Sequence, residues 1–113
     1  MMTLTTALRD IADRLTAAGV PADIDPARVE VPGALVIADR LKSITLDGTM
    51  QLRVQLHLVA RDEPTPDALD ELERLLGATL SVVEPDGDIE LDGFVKTPAG
   101  NLPAWTIPIH LYT

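Results

Sequence analysis

Two histidines, His57 and His110, are the side chains best suited to acid–base chemistry, because the pKa of an imidazole lies near neutral pH. The chain has no cysteine that could share this role. Each falls on the polar side of a segment in which apolar and polar residues alternate. A zinc site would need further ligands at a fitting spacing, and the sequence contains neither H-x-x-x-H nor H-x-H. We therefore interpret both histidines as surface or interface residues and predict no metal site.

Nucleophilic catalysis has equally little support. The only serines, Ser43 and Ser81, do not lie in G-x-S-x-G, and the missing cysteines exclude a thiol nucleophile and disulfides. The seven glycines form neither G-x-G-x-x-G nor a Walker loop. Carboxylate pairs such as Asp23 and Asp25 are explained by turns and solubility. The sequence thus predicts a protein that is not an enzyme and has no cofactor.

The acidic segment DGDIELDG, which begins at Asp86, invites comparison with a calcium loop. An EF-hand loop beginning at Asp88 has Gly93 at its sixth position but Ala99 at its twelfth, where a bidentate glutamate is needed. A loop beginning at Asp86 has Leu91 where the glycine is required. We interpret the segment as an acidic turn and short strand.

Length and charge narrow the function classes further. The 113 residues fit a single domain (1–113), and 46% apolar residues are typical of a globular fold. The net charge of −9 without a basic cluster argues against nucleic-acid binding. No apolar stretch is long enough to span a membrane, and the charges in MMTLTTALRDIADRL argue against a signal peptide.

Two amphipathic helices should position these residues. Residues 3–18 are predicted to end before Gly19, with an apolar stripe at Leu4, Leu8, Ile11, Leu15 and Ala18. The second helix lies within residues 63–83, where Thr65 can cap and Pro66 can begin the first turn. Its predicted buried stripe comprises Leu69, Leu72, Leu76 and Leu80.

The strands follow from alternation and turn residues. Asp47 and Gly48 predict a hairpin between KSITL and TMQLRVQLHLV. In the second arm the apolar side comprises Met50, Leu52, Val54, Leu56 and Leu58, and the polar side Gln51, Arg53, Gln55 and His57. We expect the core to include Leu8, Ile11, Leu15, Val54, Leu56, Leu69, Leu72 and Leu76.

The terminal run LPAWTIPIHLYT (102–113) alternates as well. One side carries Trp105, Ile107, Ile109 and Leu111, and the other Thr106, Pro108, His110 and Tyr112. Because proline cannot donate a ladder hydrogen bond, Pro103 and Pro108 predict an edge strand or a bulge. The whole order predicts an α+β fold, a single mostly antiparallel sheet with two helices packed on it.

The order of segments also carries a family resemblance. The helix LRDIADRLTAAGV leads into DIDPARVEVPGALV, VQLHLVARD (54–62) runs through a short turn into ALDELERLL (68–76), and the chain ends on NLPAWTIPIHLYT. In this order, over nearly the whole chain, the sequence resembles the small tail terminator (tail-completion) proteins of long-tailed bacteriophages, in the form found in phages of actinobacterial hosts.

The resemblance implies a structural subunit without catalytic residues that forms a homo-oligomeric ring, usually six-fold. Such a ring caps the finished tail tube, ends its polymerisation and offers a surface for head–tail joining. The implied partners are further copies of the chain, the major tail tube protein and a head–tail connector protein, with DNA only passing through the lumen. The implied location is the tail or neck of the virion, after assembly in the host cytoplasm.

If ring contacts use the terminal strand and the polar side of the long strand, the candidate interface residues are Arg53, Gln55, His57, Trp105, His110 and Tyr112. Trp105 shares the apolar side, so core packing is the alternative for it, whereas an interface is favoured for Tyr112. Two other functions stay open: another neck or head-completion ring protein, and a dimeric α+β module that binds a small ligand.

Overall fold

The predicted α+β architecture is confirmed in a computed structural model, which describes residues 4–43, 50–61, 65–98 and 100–112. Its elements are α1 (Leu4–Ala17), β1 (Ala22–Asp23), β2 (Gly33–Ser43), β3 (Met50–Val59), α2 (Thr65–Leu80), β4 (Glu90–Thr97) and β5 (Gly100–Tyr112). The strands form a five-stranded sheet in the order β1-β2-β3-β5-β4. Only the short β1–β2 pairing is parallel, and the other three are antiparallel.

Helix α1 ends where the sequence predicts. Gly19 has a φ of 95°, and the amide of the next residue, Val20, donates to the carbonyl oxygen of Leu15 at 2.9 Å. This is the left-handed stop that glycine favours, completed by the burial of Val20. The buried side of the helix comprises Ala7, Ile11, Ala12 and Leu15. Leu8 is only partly buried and Leu4 is 45% exposed, so the predicted apolar stripe of this helix is only partly covered.

The predicted buried stripe of α2 is wrong by part of a turn. Leu69 and Leu80 are 46% and 43% exposed, and Leu76 is only partly buried. The side facing the sheet instead comprises Ala68, Leu72, Leu75 and Thr79. The apolar arc of this helix is wider than the strip that contacts the sheet, so leucine spacing alone does not fix its rotation. The hydroxyl of the buried Thr79 donates to the carbonyl oxygen of Leu75 at 2.7 Å within the helix.

Strands β2 and β3 pair along their length as the predicted hairpin arms, from Gly33 opposite Val59 to Ser43 opposite Met50. The turn at Asp47 and Gly48 lies outside the described residues. A β-bulge interrupts β2 between Ala38 and Arg40. The alternation of β3 is confirmed, because Leu52, Val54, Leu56 and Leu58 are fully buried and the residues between them are half-buried.

The prediction of a terminal edge strand is wrong, since β5 lies between β3 and β4. The two prolines fit this position because β5 is flanked unevenly. The carbonyl oxygen of Pro103 accepts from Ala60, beyond the last β3–β5 pair, and that of Pro108 accepts from Asp86, beyond the last β4–β5 pair. A residue in a strand directs its amide and carbonyl to the same side. The position where each proline lacks an amide hydrogen therefore lies on the side of β5 where the neighbouring strand is absent, so no ladder hydrogen bond is lost.

Both helices pack on one face of the sheet. The main core joins Ile11 and Leu15 of α1 and Leu72 and Leu75 of α2 to the apolar residues of β2, β3 and β5. A smaller cluster covers one end of the opposite face and comprises Leu35, Val59, Val95, Leu102 and Ala104. The rest of that opposite face has no described layer above it.

Leu72 and Leu69 provide a matched test of the α2 packing. We expect Leu72→Ala to lower the free energy of unfolding by about 2–5 kcal/mol, because it leaves a cavity in the core. Leu69→Ala, on the same helix but exposed, should change it by less than about 0.5 kcal/mol. Urea denaturation followed by circular dichroism measures both. A loss at Leu69 as large as that at Leu72 would support the helix phase predicted from the leucine spacing.

Candidate assembly surface

Most of the predicted interface residues lie together on the sheet face that the helices leave uncovered, which we call the open face. In register, His57 lies beside Thr106, Gln55 beside Pro108, and Arg53 beside His110. These side chains belong to the two central strands β3 and β5, whose pairing fixes their spacing. The open face is a patch of half-buried polar groups at the middle of the sheet.

Arg53 is paired with an acidic partner on the neighbouring strand. Its Nε lies 3.3 Å from a carboxylate oxygen of Asp39, and the two side chains are 39% and 32% exposed. Asp39 falls in the β2 bulge, next to Arg40, which lies opposite Arg53 in register. The bulge therefore brings the carboxylate of Asp39 to Arg53 and offsets part of the positive charge on the open face.

His57 is held by a hydrogen bond across the strands. Its Nδ1 lies 2.9 Å from the hydroxyl oxygen of Thr106. Burial lowers the pKa of His57 below its ordinary value, and the carboxylate of Glu90, which lies opposite Thr106 in register, opposes that shift in part. Burial is the larger effect, so this imidazole is neutral at neutral pH.

His110 is tied to the segment between α2 and β4. Its Nδ1 contacts the carboxylate of Asp86, while the amide of Asp86 donates to the carbonyl oxygen of Pro108 at 2.8 Å. The segment thus covers part of the β5 flank that β4 leaves free.

A groove of about 410 Å³ lies beside the segment between α2 and β4, bounded by α1, residues 82–86 and the end of β5. Its basic group, Arg14, donates to the carbonyl oxygen of Val82 at 3.2 Å, which gives little support to a small-ligand site.

The two terminal aromatics differ from the other candidates. Trp105 is 7% exposed and belongs to the main core, so the core alternative holds and the residue is not a surface anchor. Tyr112 pairs with Gln51 through its backbone, but its side chain lies outside the described part of the chain. Of the predicted interface residues, the structure therefore places Arg53, Gln55, His57 and His110 on the open face.

Sequence reasoning missed the most exposed apolar group of the described residues. Phe94 is 71% exposed and Leu91 is 59% exposed, and both lie on β4, at the outer edge of the sheet. A lone phenylalanine in an acidic, turn-rich segment was a visible signal in the sequence. Its meaning depends on the strand order, which places β4, rather than β5, at the edge.

Within the described ranges, no group of three or more histidine or acidic residues is arranged to hold a metal ion. No helix in the described part of the chain has the length and apolar character needed to cross a membrane. Comparison with protein-family models, curated proteins and solved structures found no match.

The pKa of His57 can be measured by NMR titration of its ring protons. We expect a value below about 6.5, the ordinary value. Glu90→Gln should lower it further, because Glu90 favours the protonated form. Glu73→Gln, an equal charge change on the exposed side of α2, should leave it unchanged.

The sign of the effect on folding follows from that direction. Since the unfolded chain binds the proton more tightly, the contribution of neutral His57 to stability is present above about pH 6.5 and is lost as the pH falls below it. A His57 pKa above that of the unfolded chain would contradict this account of the open face.

Proposed function

We propose that the chain is a structural subunit of a bacteriophage tail, which forms a ring, caps the finished tail tube and ends its polymerisation. The observation that best supports this proposal is the one-sided sheet. Both helices cover one face, while the other keeps a polar surface between two incompletely paired edges. A subunit of this shape has separate surfaces for neighbouring subunits and for the tube.

The charge distribution fits a ring through which DNA passes. The net charge is −9, and the arginine at the centre of the open face is paired with Asp39. Holding DNA requires several basic groups that displace counterions from the phosphates. A lumen lined by the two central strands of the open face would present polar groups, such as Gln55 and the neutral His57, beside an arginine whose charge Asp39 offsets.

The runner-up is another ring protein of the neck or head-completion region, which shares the same surface requirements. The location of the ring separates the two. Negative-stain images should show the protein on the ends of tail tubes under the main proposal, and on head portals under the runner-up.

The direct test adds the purified protein to tail-tube subunits from the same phage while they polymerise. We expect shorter tubes of narrower length distribution, with extra density at one end, because a bound ring removes the site for the next tube subunit. An unrelated protein of similar net charge, added at equal concentration, is the control. Tubes of the same lengths with and without the protein, and bare at both ends, would contradict the proposal.

A further inference from the structure

Strand β4 covers only part of β5, and the end of β5 has a neighbouring strand on one side only. The outermost β4–β5 pair joins Glu90 to Thr106, whereas β3 pairs with β5 as far as Tyr112. The segment before β4 adds one hydrogen bond on the β4 side, from the amide of Asp86 to the carbonyl oxygen of Pro108. We call the same side of residues 109–112 the free flank of β5.

Backbone geometry shows which groups of the free flank can bind. The carbonyl of Pro108 faces away from β3, because its oxygen accepts from Asp86. A residue in a strand directs its amide and carbonyl to one side, and that side alternates along the strand, so the backbone groups of His110 and Tyr112 face the same way. Neither has a backbone partner on this side within the described part of the chain. Such an open stretch can add a strand from another chain.

The groove of about 410 Å³ beside the segment between α2 and β4 runs along this free flank. Its lining includes three consecutive residues of β5, namely Ile109, His110 and Leu111. Because consecutive residues of a strand point to opposite faces of the sheet, a groove that reaches all three passes along the edge of the strand. The groove and the unpaired backbone groups therefore form one surface.

Apolar side chains complete the lining of the groove. Ile11 of α1 belongs to the main core, and Val82 and Val83 pack against it. Their positions are thus fixed by the core, and small apolar side chains of an added strand would contact them. The volume falls within the range of about 300–1,000 Å³ that is typical of binding clefts.

Two charged groups of the groove already have partners. The guanidinium of Arg14 donates to the carbonyl oxygen of Val82 at 3.2 Å and lies 3.8 Å from a carboxylate oxygen of Asp10. The carboxylate of Asp86 contacts His110. Neither group leaves a full charge for an occupant of the groove.

Glu84 is the charged residue of the lining that no described ion pair offsets. It lies within residues 84–90, where four exposed acidic residues occur without a basic one. Electrostatic complementarity therefore favours an occupant with lysine or arginine next to the groove. A second copy of the chain carries the same net charge of −9 and is disfavoured by it.

From these observations we infer that the groove binds an extended segment of another protein, which pairs as a strand with the free flank of β5. The segment carries small apolar residues that contact the groove and a basic residue that pairs with Glu84. The inference goes beyond the proposed ring and does not depend on it, because the whole site belongs to a single subunit.

A model peptide provides the first test. The probe is a fluorescein-labelled octapeptide with two lysines at each end and alternating valine and threonine between them. Its four central residues span about 13 Å when extended, which matches the length of residues 109–112. Fluorescence anisotropy with the full chain should show saturable binding with a Kd below about 1 mM. The same peptide with glutamate in place of lysine should bind at least about tenfold more weakly.

Glu84→Gln and Glu73→Gln separate the groove from the general negative charge of the protein. Each variant loses one exposed carboxylate, but Glu73 lies on α2 and does not line the groove. We expect Glu84→Gln to weaken binding of the lysine peptide by about twofold to fivefold, the effect of one exposed ion pair. Glu73→Gln should leave it unchanged. Equal losses in both variants would show binding by net charge alone and would overturn the inference.

Methylation of the peptide backbone tests the strand pairing. One peptide is N-methylated at its valines and another at its threonines, so that each loses the amide donors of one side of the strand. One of the two should bind about tenfold more weakly, because its missing donors face β5, and the other should bind as the parent does. Binding that survives in both would exclude strand addition.

Hydrogen exchange locates the peptide on the protein. The amide of His110 should exchange at least about tenfold more slowly when the peptide is saturating, because it gains a hydrogen-bond partner. The amide of Lys96, on β4, should be unaffected. Protection of Lys96 instead of His110 would place the peptide at the β4 edge and overturn the inference. Protection of His110 that rises with the concentration of the protein alone would identify a second copy as the occupant and overturn it as well.

The outcomes also separate this inference from the proposed function. A protein that caps tubes but does not bind the lysine peptide would overturn the inference and leave the proposed function standing. A protein that binds the peptide at the free flank but leaves tube lengths unchanged would support the inference and contradict tube capping.

Discussion

The backbone pairing of β5 on both of its sides is the constraint on which the sheet depends. Residues 104–112 pair with β3, and residues 100–106 pair with β4. Without β5, β4 would have no partner among the described residues, and the hairpin of β2 and β3 would lose its longest neighbour. Proline is compatible with this role because Pro103 and Pro108 each direct their carbonyl to a side of β5 where the neighbouring strand has ended. There the amides of Ala60 and Asp86 donate to these carbonyl oxygens in place of a strand residue.

The two faces and two edges of the sheet follow from that arrangement. The pleat of β5 places Trp105 and Ile107 toward the helices and Thr106 and His110 toward the open face. Because β5 is central, the exposed edges of the sheet are formed by β2 and β4. The sequence predicts one exposed terminal strand that carries the aromatic contacts. In the structure Trp105 is buried, the polar patch lies at the centre of the sheet, and the exposed apolar side chain at the edge is Phe94 of β4.

Local features could be predicted from the sequence because local physics determines them. Gly19 ends α1 through its own backbone conformation, and the alternation of β3 requires only that one side of the strand be buried. The strand order could not be predicted in the same way. Pro103 and Pro108 show that two positions of β5 need no amide donor for sheet pairing. They do not show on which side of β5 the donor is missing, because that side depends on where β3 and β4 end. The rotation of α2 was missed for a related reason, since Leu69 and Leu72 both belong to an apolar arc that is wider than the contact.

Our central proposal is that the chain occupies the head-proximal end of a phage tail. Immunogold labelling of intact and tail-detached virions of the phage that would encode it tests this proposal most directly. The account predicts gold at the head–tail junction in intact particles, and at the end of the tube that had joined the head in detached tails. Gold on the capsid shell, along the tube or at the distal tip, or no labelling of particles whose junction has been opened, would contradict it.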